Sequence, residues 1–322
     1  MQRTRGLSAA LVLATSIIAA PVSGNRMASE VEQATTGVVE PGATGPRVIR
    51  AQILLDCARF SPGEIDGSYG GDLVIAIKGS QENHGLKPTG VVDAEMWKLL
   101  DTHTGPLLTT YTITVADVKG PFEKIPKTAA EQAKMKWMGY ESPAEGLGEK
   151  FHLSPKLLVE LNPGKKLDTA GEQIIVPNAK RSPATRASRV LISKSKRTVT
   201  AYGAGDKVLA QYPATLGGEH DPLPIGNWKI MNIVHYPWFN WDPVHFWNVD
   251  PKTAAQKLPP GPRNPVGLVW MGLSKEHYGI HGTEDPGHVR QGQSYGCIRL
   301  TNWDAVDLWH IVVTGTPVVA EE

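Results

Sequence analysis

Apolar positions change period twice along the chain, and each change marks a different kind of element. The first run is not periodic. Arg3 and Arg5 precede an apolar stretch from Leu7 to Ala20, followed by the small residues Val22, Ser23 and Gly24. A basic start, a short apolar middle and a small-residue exit describe a secretory signal peptide over residues 1–24, with cleavage near Gly24. The stretch is shorter than the ~20 residues that span a bilayer, and no Cys follows it for lipid attachment. Residues 25–46 are rich in Gly, Thr, Ala and Pro without sustained period, which predicts a flexible linker. Helical spacing then begins: Val48–Phe60, a turn at Gly63–Gly67, and a second helix over Asp72–His84 closed by Gly85. Asp93 is placed to cap a third helix ending near Leu100.

From Arg189 the spacing becomes that of strands. Arg189–Ser193, Thr198–Tyr202, Val208–Pro213, Asn227–Met231, Val266–Leu273 and Thr316–Ala320 are short β-branched runs between Gly and Pro turns. Many short strands with few helical stretches predict a mainly-β sandwich or barrel. One helix is expected at Asn302–His310. The segment His235–Arg263, dense in Trp, Phe and Pro, reads as a long loop or lid over a groove.

Composition narrows the class without choosing within it. With 322 residues, 41% hydrophobic and 20% charged, the chain holds two or three ordinary globular domains. A net charge of +1 with no basic run argues against nucleic acid and leaves no stripe for anionic lipid, so no stable membrane anchor is expected. The two cysteines, Cys57 and Cys297, could form one disulfide in an exported protein. They lie in segments of different texture, however. Cys57, among Ile53, Leu54, Leu55 and Ala58, reads as a buried structural thiol.

Cys297 has chemical company. Tyr278-Gly279-Ile280-His281-Gly282-Thr283 is followed by Ser294-Tyr295-Gly296-Cys297-Ile298-Arg299-Leu300. A thiol attacks an amide only as thiolate, so it needs a base to take its proton, and His281 can serve if the two strand ends meet. Gly296 permits a sharp turn that aims successive N–H groups at a developing oxyanion. Arg299 shares the face of Cys297 if the chain is extended there, and suits a carboxylate-rich substrate. A metal site built on His277 and His281 is the competing arrangement. Tyr278-Gly279-Ile280 between them favours a strand, and no HExxH spacing occurs.

These two segments match the most specific stretch of the YkuD-type L,D-transpeptidases, a His-Gly pair followed by Ser/Thr-His-Gly-Cys. Pro224-Ile225-Gly226 and Asn264-Pro265-Val266-Gly267 are similar to further turns of that family, and the resemblance covers about Arg189–Val319. It implies a catalytic domain over 188–320, with Cys297 as nucleophile and His281 as base. The Gly282 carbonyl would orient His281, and the N–H groups of Tyr295, Gly296 and Cys297 would form the oxyanion hole. Arg299 and Ser294 would contact substrate, with no cofactor and no metal. Tyr295 departs from the motif, which usually has His there. On this reading its N–H matters and its phenol does not.

Two further segments resemble wall-binding modules. Ala51-Gln52, Ile65-Asp66-Gly67-Ser68-Tyr69-Gly70, Gln81, Gly90, Asp93 and Trp97 are similar to a small helical peptidoglycan-binding domain over 47–101, with Ser80 replacing a usual aromatic. Residues 110–178 resemble a strand–helix–helix–strand LysM module carrying an atypical insertion around Pro121–Tyr140. Together these imply a multidomain enzyme of the periplasm or cell envelope whose partner is peptidoglycan. Cys297 would release D-alanine from a stem peptide through a thioester. A second stem, water or a protein amine could resolve that thioester, and a non-catalytic wall binder is the rival reading. A chain starting near Arg186 is expected to work alone on soluble stems.

Overall fold

The computed structural model describes residues 25–33, 37–181 and 184–322, so the expected signal peptide lies outside the described residues. Among the described residues no helix is long and apolar enough to cross a membrane.

The N-terminal half begins with four helices: α1 (Arg26–Gln33), α2 (Pro46–Cys57), α3 (Gly71–Asn83) and α4 (Ala94–Leu100). Asp93 caps α4 as expected, its carboxylate accepting from the N–H groups of Glu95 and Met96. The flexible-linker expectation for 25–46 needs correction. Ala28 and Val31, spaced three apart on α1, are fully buried, and Glu32 accepts from the Leu108 N–H at 2.7 Å. Val39 and Val92 exchange backbone hydrogen bonds at 3.0 Å. Two buried residues in an eight-residue helix give too short a period to stand out in sequence.

Two antiparallel strands follow, β1 (Leu108–Thr112) and β2 (Gln173–Pro177). They enclose α5 (Val115–Val118), α6 (Ala129–Gln132), α7 (Pro143–Lys150) and α8 (Pro155–Leu161). Ser142 and Ser154 cap α7 and α8, each followed by a Pro that starts the helix. This unit has no core of its own. One hydrophobic cluster runs from Ala28 and Val31 through the first helices to Leu147, Leu158 and Val176. The two expected modules therefore fold as one body.

The C-terminal half is a single mixed sheet. Its strands are β3 (Arg189–Ser193), β4 (Thr198–Tyr202), β5 (Val208–Pro213), β6 (Gly226–His235), β9 (Val269–Leu273), β10 (Gly279–His281), β11 (Ile298–Arg299) and β12 (Pro317–Glu321). The short hairpin of β7 (Phe239–Trp241) and β8 (Gln256–Leu258) stands apart, inside the expected lid. Sheet order is β11-β10-β9-β6-β12-β3-β4-β5. Thr215, just past β5 at one edge, exchanges hydrogen bonds of 2.9 Å with Arg299 of β11 at the other. The sheet thus curls until its ends meet, which selects the barrel-like form of the two expected and not the sandwich. Helix α9 (Asn302–Ile311) packs behind β9 and β10, its N-terminus capped by Thr301.

The halves are joined by buried charge. Arg181 pairs with Asp56 of α2 and with Asp304 and Asp307 of α9, and all but Asp307 are essentially withdrawn from solvent. Arg59 also reaches Asp307, and Ser61 donates to Asp304 at 2.7 Å. Backbone bonds between 59–61 and Gln211 continue the seam. A catalytic half that detaches near Arg186 is not what this interface describes. Both cysteines are free thiols, and half-buried Cys57 donates weakly to the Asn178 carbonyl at 3.8 Å.

Candidate active site

Strands β10 and β11 run parallel, pairing Ile280 with Ile298 and His281 with Arg299. Both isoleucines are fully buried, so apolar anchoring holds the two polar segments side by side. Leu300 adds a hydrogen bond to the His281 carbonyl at 2.8 Å. The Nδ1 of His281 donates to the Gly282 carbonyl at 2.6 Å. A carbonyl can only accept, so Nδ1 carries the proton and Nε2 keeps a free lone pair. Trp270 stacks on the ring at 5.5 Å, fixing its plane.

The thiol of Cys297 points its hydrogen bond at the His277 carbonyl, 3.6 Å away, rather than at His281. Burial pushes its pKa up, while the Gly279 N–H and the Arg299 charge pull the other way. Burial, with Arg299 adding repulsion, drives His281 down to about 3. The resting pair is therefore thiol and neutral imidazole.

Gly296 adopts φ 92°, and a Cβ there would come within 3.0 Å of the Tyr278 ring. Among the described residues the N–H groups of Tyr295, Gly296 and Cys297 donate to no protein backbone acceptor. Ser294, expected to contact substrate, lines the groove, while its hydroxyl donates to the Cys297 carbonyl and its N–H to the Leu216 carbonyl. It braces the turn. Arg299 lines the groove, with its Nε buried and unpartnered. The phenol of Tyr295 is not idle either. It donates to Asn248 of the lid at 2.7 Å and meets the Phe246 ring edge-on at 4.6 Å. The lid and the segments of His281 and Cys297 line a groove of about 1240 Å³.

Two residues that support this site went unnoticed in the sequence. Asn302 is fully buried; its amide donates to Pro262 and Glu149 at 3.0 Å and accepts from the Leu268 N–H at 3.0 Å. A Cβ on Gly267 or Gly282 would lie within 2.0 or 2.1 Å of its Oδ1. Asn302 thus seats the very peptide that orients His281. The signal was an Asn directly after a helix cap, with two glycines in the motif turns. Arg263 closes the lid's base, donating to the Glu284 carbonyl at 2.8 Å and pairing with Glu145 at 3.1 Å. Met138, from the N-terminal insertion, bonds Pro260 and Arg263 through its backbone at 2.9 and 3.0 Å. No local pattern announces contacts between segments so far apart.

Known proteins place this arrangement. The family model of the L,D-transpeptidase catalytic domain matches residues 187–319, and that of a peptidoglycan binding domain matches residues 44–100. A protein of Bacillus licheniformis named as the L,D-transpeptidase YkuD is 32% identical over 176 residues, covering 54% of this chain and 90% of its own. The chain belongs to the L,D-transpeptidase family. Its YkuD relative from Bacillus subtilis is 31% identical over 169 residues, or 52% of this chain and 87% of that one. Among solved structures, the L,D-transpeptidase of Xylanimonas cellulosilytica aligns over 89% of this chain and 98% of its own, at 15% identity and a TM-score of 0.39.

Proposed function

We propose that this family member is a cysteine-dependent L,D-transpeptidase of peptidoglycan stem peptides, working outside the cytoplasmic membrane. The observation that carries it is the parallel pairing of β10 with β11, which sets neutral His281 beside the segment of Cys297. The Cys297 sulfur attacks the carbonyl joining the stem's diamino acid to its terminal D-alanine, and its proton passes to Nε2 of His281. The unclaimed N–H groups of Tyr295, Gly296 and Cys297 receive the oxyanion, a contribution of about 3 kcal/mol per donor in comparable sites. Imidazolium returns the proton to the D-alanine amine as the C–N bond breaks, leaving a thioester. An amine from a second stem then attacks the thioester, His281 takes its proton and returns it to sulfur, and a 3→3 cross-link results. Gly282 holds the imidazole in the right tautomer, and the guanidinium of Arg299 meets a stem carboxylate.

The N-terminal body supplies the hold on the wall. Its helical part carries the peptidoglycan-binding match, and we extend the role to residues 110–178 as a LysM-like glycan contact, because α7 and α8 between strands β1 and β2 follow a strand–helix–helix–strand order once the short α5 and α6 are set apart. An exported enzyme with its leader over 1–24 fits that substrate. The test is incubation with tetrapeptide stems, following D-alanine release and the intact mass of the protein. An acyl adduct and D-alanine are expected with the unaltered chain and neither with Cys297→Ala. An adduct that persists in Cys297→Ala moves the nucleophile elsewhere. D-alanine without cross-links assigns water as the acceptor.

A further inference from the structure

The groove that Cys297 lines is more aromatic than a stem peptide can use. The lid exposes Trp238 at 53% and Trp247 at 61% of their surface, both facing the same groove as the thiol. A stem ends in D-alanine after a diamino acid, so it offers methyl groups, amides and charges but no flat apolar face. The sugar rings to which stems are attached do offer one, a face of C–H groups rimmed by hydroxyls. We propose that Trp238 and Trp247 form a stacking platform for the glycan strand that carries the donor stem. The proposal rests on the peptidoglycan reading above and names a subsite beside it.

Each ring already has a neighbour on it. His220 stacks on Trp247 at 4.4 Å between centroids, and the Lys257 ammonium stands 5.1 Å over Trp238. With a neighbour against each ring, the remaining exposure belongs to the free face and edge. Behind them the lid is stiffened by the Trp241–Phe246 stack at 5.5 Å and by the hairpin pairing of Phe239 with Leu258. Rings fixed before binding lose little freedom when a ligand arrives, which is where stacking gains most. Exposed aromatic surface of this kind is costly in water unless a partner covers it. Continuity with the catalytic groove makes the glycan of the same substrate that partner.

The experiment compares kcat/KM for a free tetrapeptide stem with that for the same stem on its disaccharide. The unaltered enzyme is expected to prefer the glycan-linked stem by about tenfold, the size of one or two aromatic contacts. Trp238→Ala and Trp247→Ala should each reduce the ratio, and the double variant should bring it near one. Equal kcat/KM values in the unaltered enzyme would overturn the platform. So would a preference that survives the double variant, which would instead assign glycan recognition to the N-terminal body. Should neither substrate turn over, the activity reading fails and a binding measurement decides this one. Titration with stem-free glycan oligomers, read by calorimetry, should show weaker binding by the double variant than by the unaltered chain; equal affinities refute the proposal.

Discussion

Arg299 acts on both members of the proposed reacting pair, Cys297 and His281, and in opposed senses. Its charge favours the Cys297 thiolate yet disfavours protonated His281. With His281 held down to about 3, its lone pair is free throughout pH 5–8, so the acylation rate should show no acid limb near 6.5. A profile that falls through 6.5 would show the imidazole titrating as an exposed one. In Arg299→Gln the thiolate loses its support and the thiol pKa rises further. Iodoacetamide alkylation of Cys297 at pH 8 should then slow by up to about tenfold, one pKa unit being a tenfold change in thiolate. Tyr295 separates backbone from side chain. Because its phenol reaches the lid, Tyr295→Ala should raise KM several-fold with kcat nearly kept, and Tyr295→Phe should do so less. Tyr295→Pro, lacking the N–H, should lose about a hundredfold in kcat. Similar kcat losses in Ala and Pro would make the phenol itself part of the chemistry. The residues at stake here were readable because Cys297, His281 and their glycines sit in two short segments. Asn302 and Arg263 were not, since each acts across segments that only folding brings together.

Among elements, those with a strong local period were legible and those defined by partners were not. β3, β4 and β5 have the bounds that their β-branched runs suggest, because runs of β-formers between turn residues mark a strand locally. Helix α1 and the β7–β8 hairpin hide in stretches whose composition says loop. The connection ending at Arg181 hides the most. Its guanidinium balances carboxylates from α2 and α9, and with His152 it holds Asp56 well below the usual carboxylate range. A depressed carboxylate stabilises the fold above its unfolded pKa of about 4, and that contribution fades as pH falls below it. Arg181→Ala should cost about 3–5 kcal/mol at neutral pH, seen as a lower denaturation midpoint, because buried carboxylates are left without their countercharge. A loss under 1 kcal/mol would mean that water relieves those carboxylates.

For the whole molecule, the seam overrules the modular picture that the sequence texture suggests. Composition separates a helical part, a mixed part and a β part, yet the described residues form two cores, and these meet at charged and hydrogen-bonded residues. A chain beginning at Arg186 should therefore express poorly or melt well below the full-length protein in a thermal scan. Equal melting temperatures would restore independence to the catalytic half. The same rigidity limits how the enzyme can search. A catalytic domain on a slack tether samples a volume set by tether length, and its local concentration of targets falls as the tether grows. On the function proposed above, the N-terminal body and the thiol keep one fixed offset, so the protein would behave as a gauge. Once seated on a strand, it would reach only stems that emerge at that spacing and on that side.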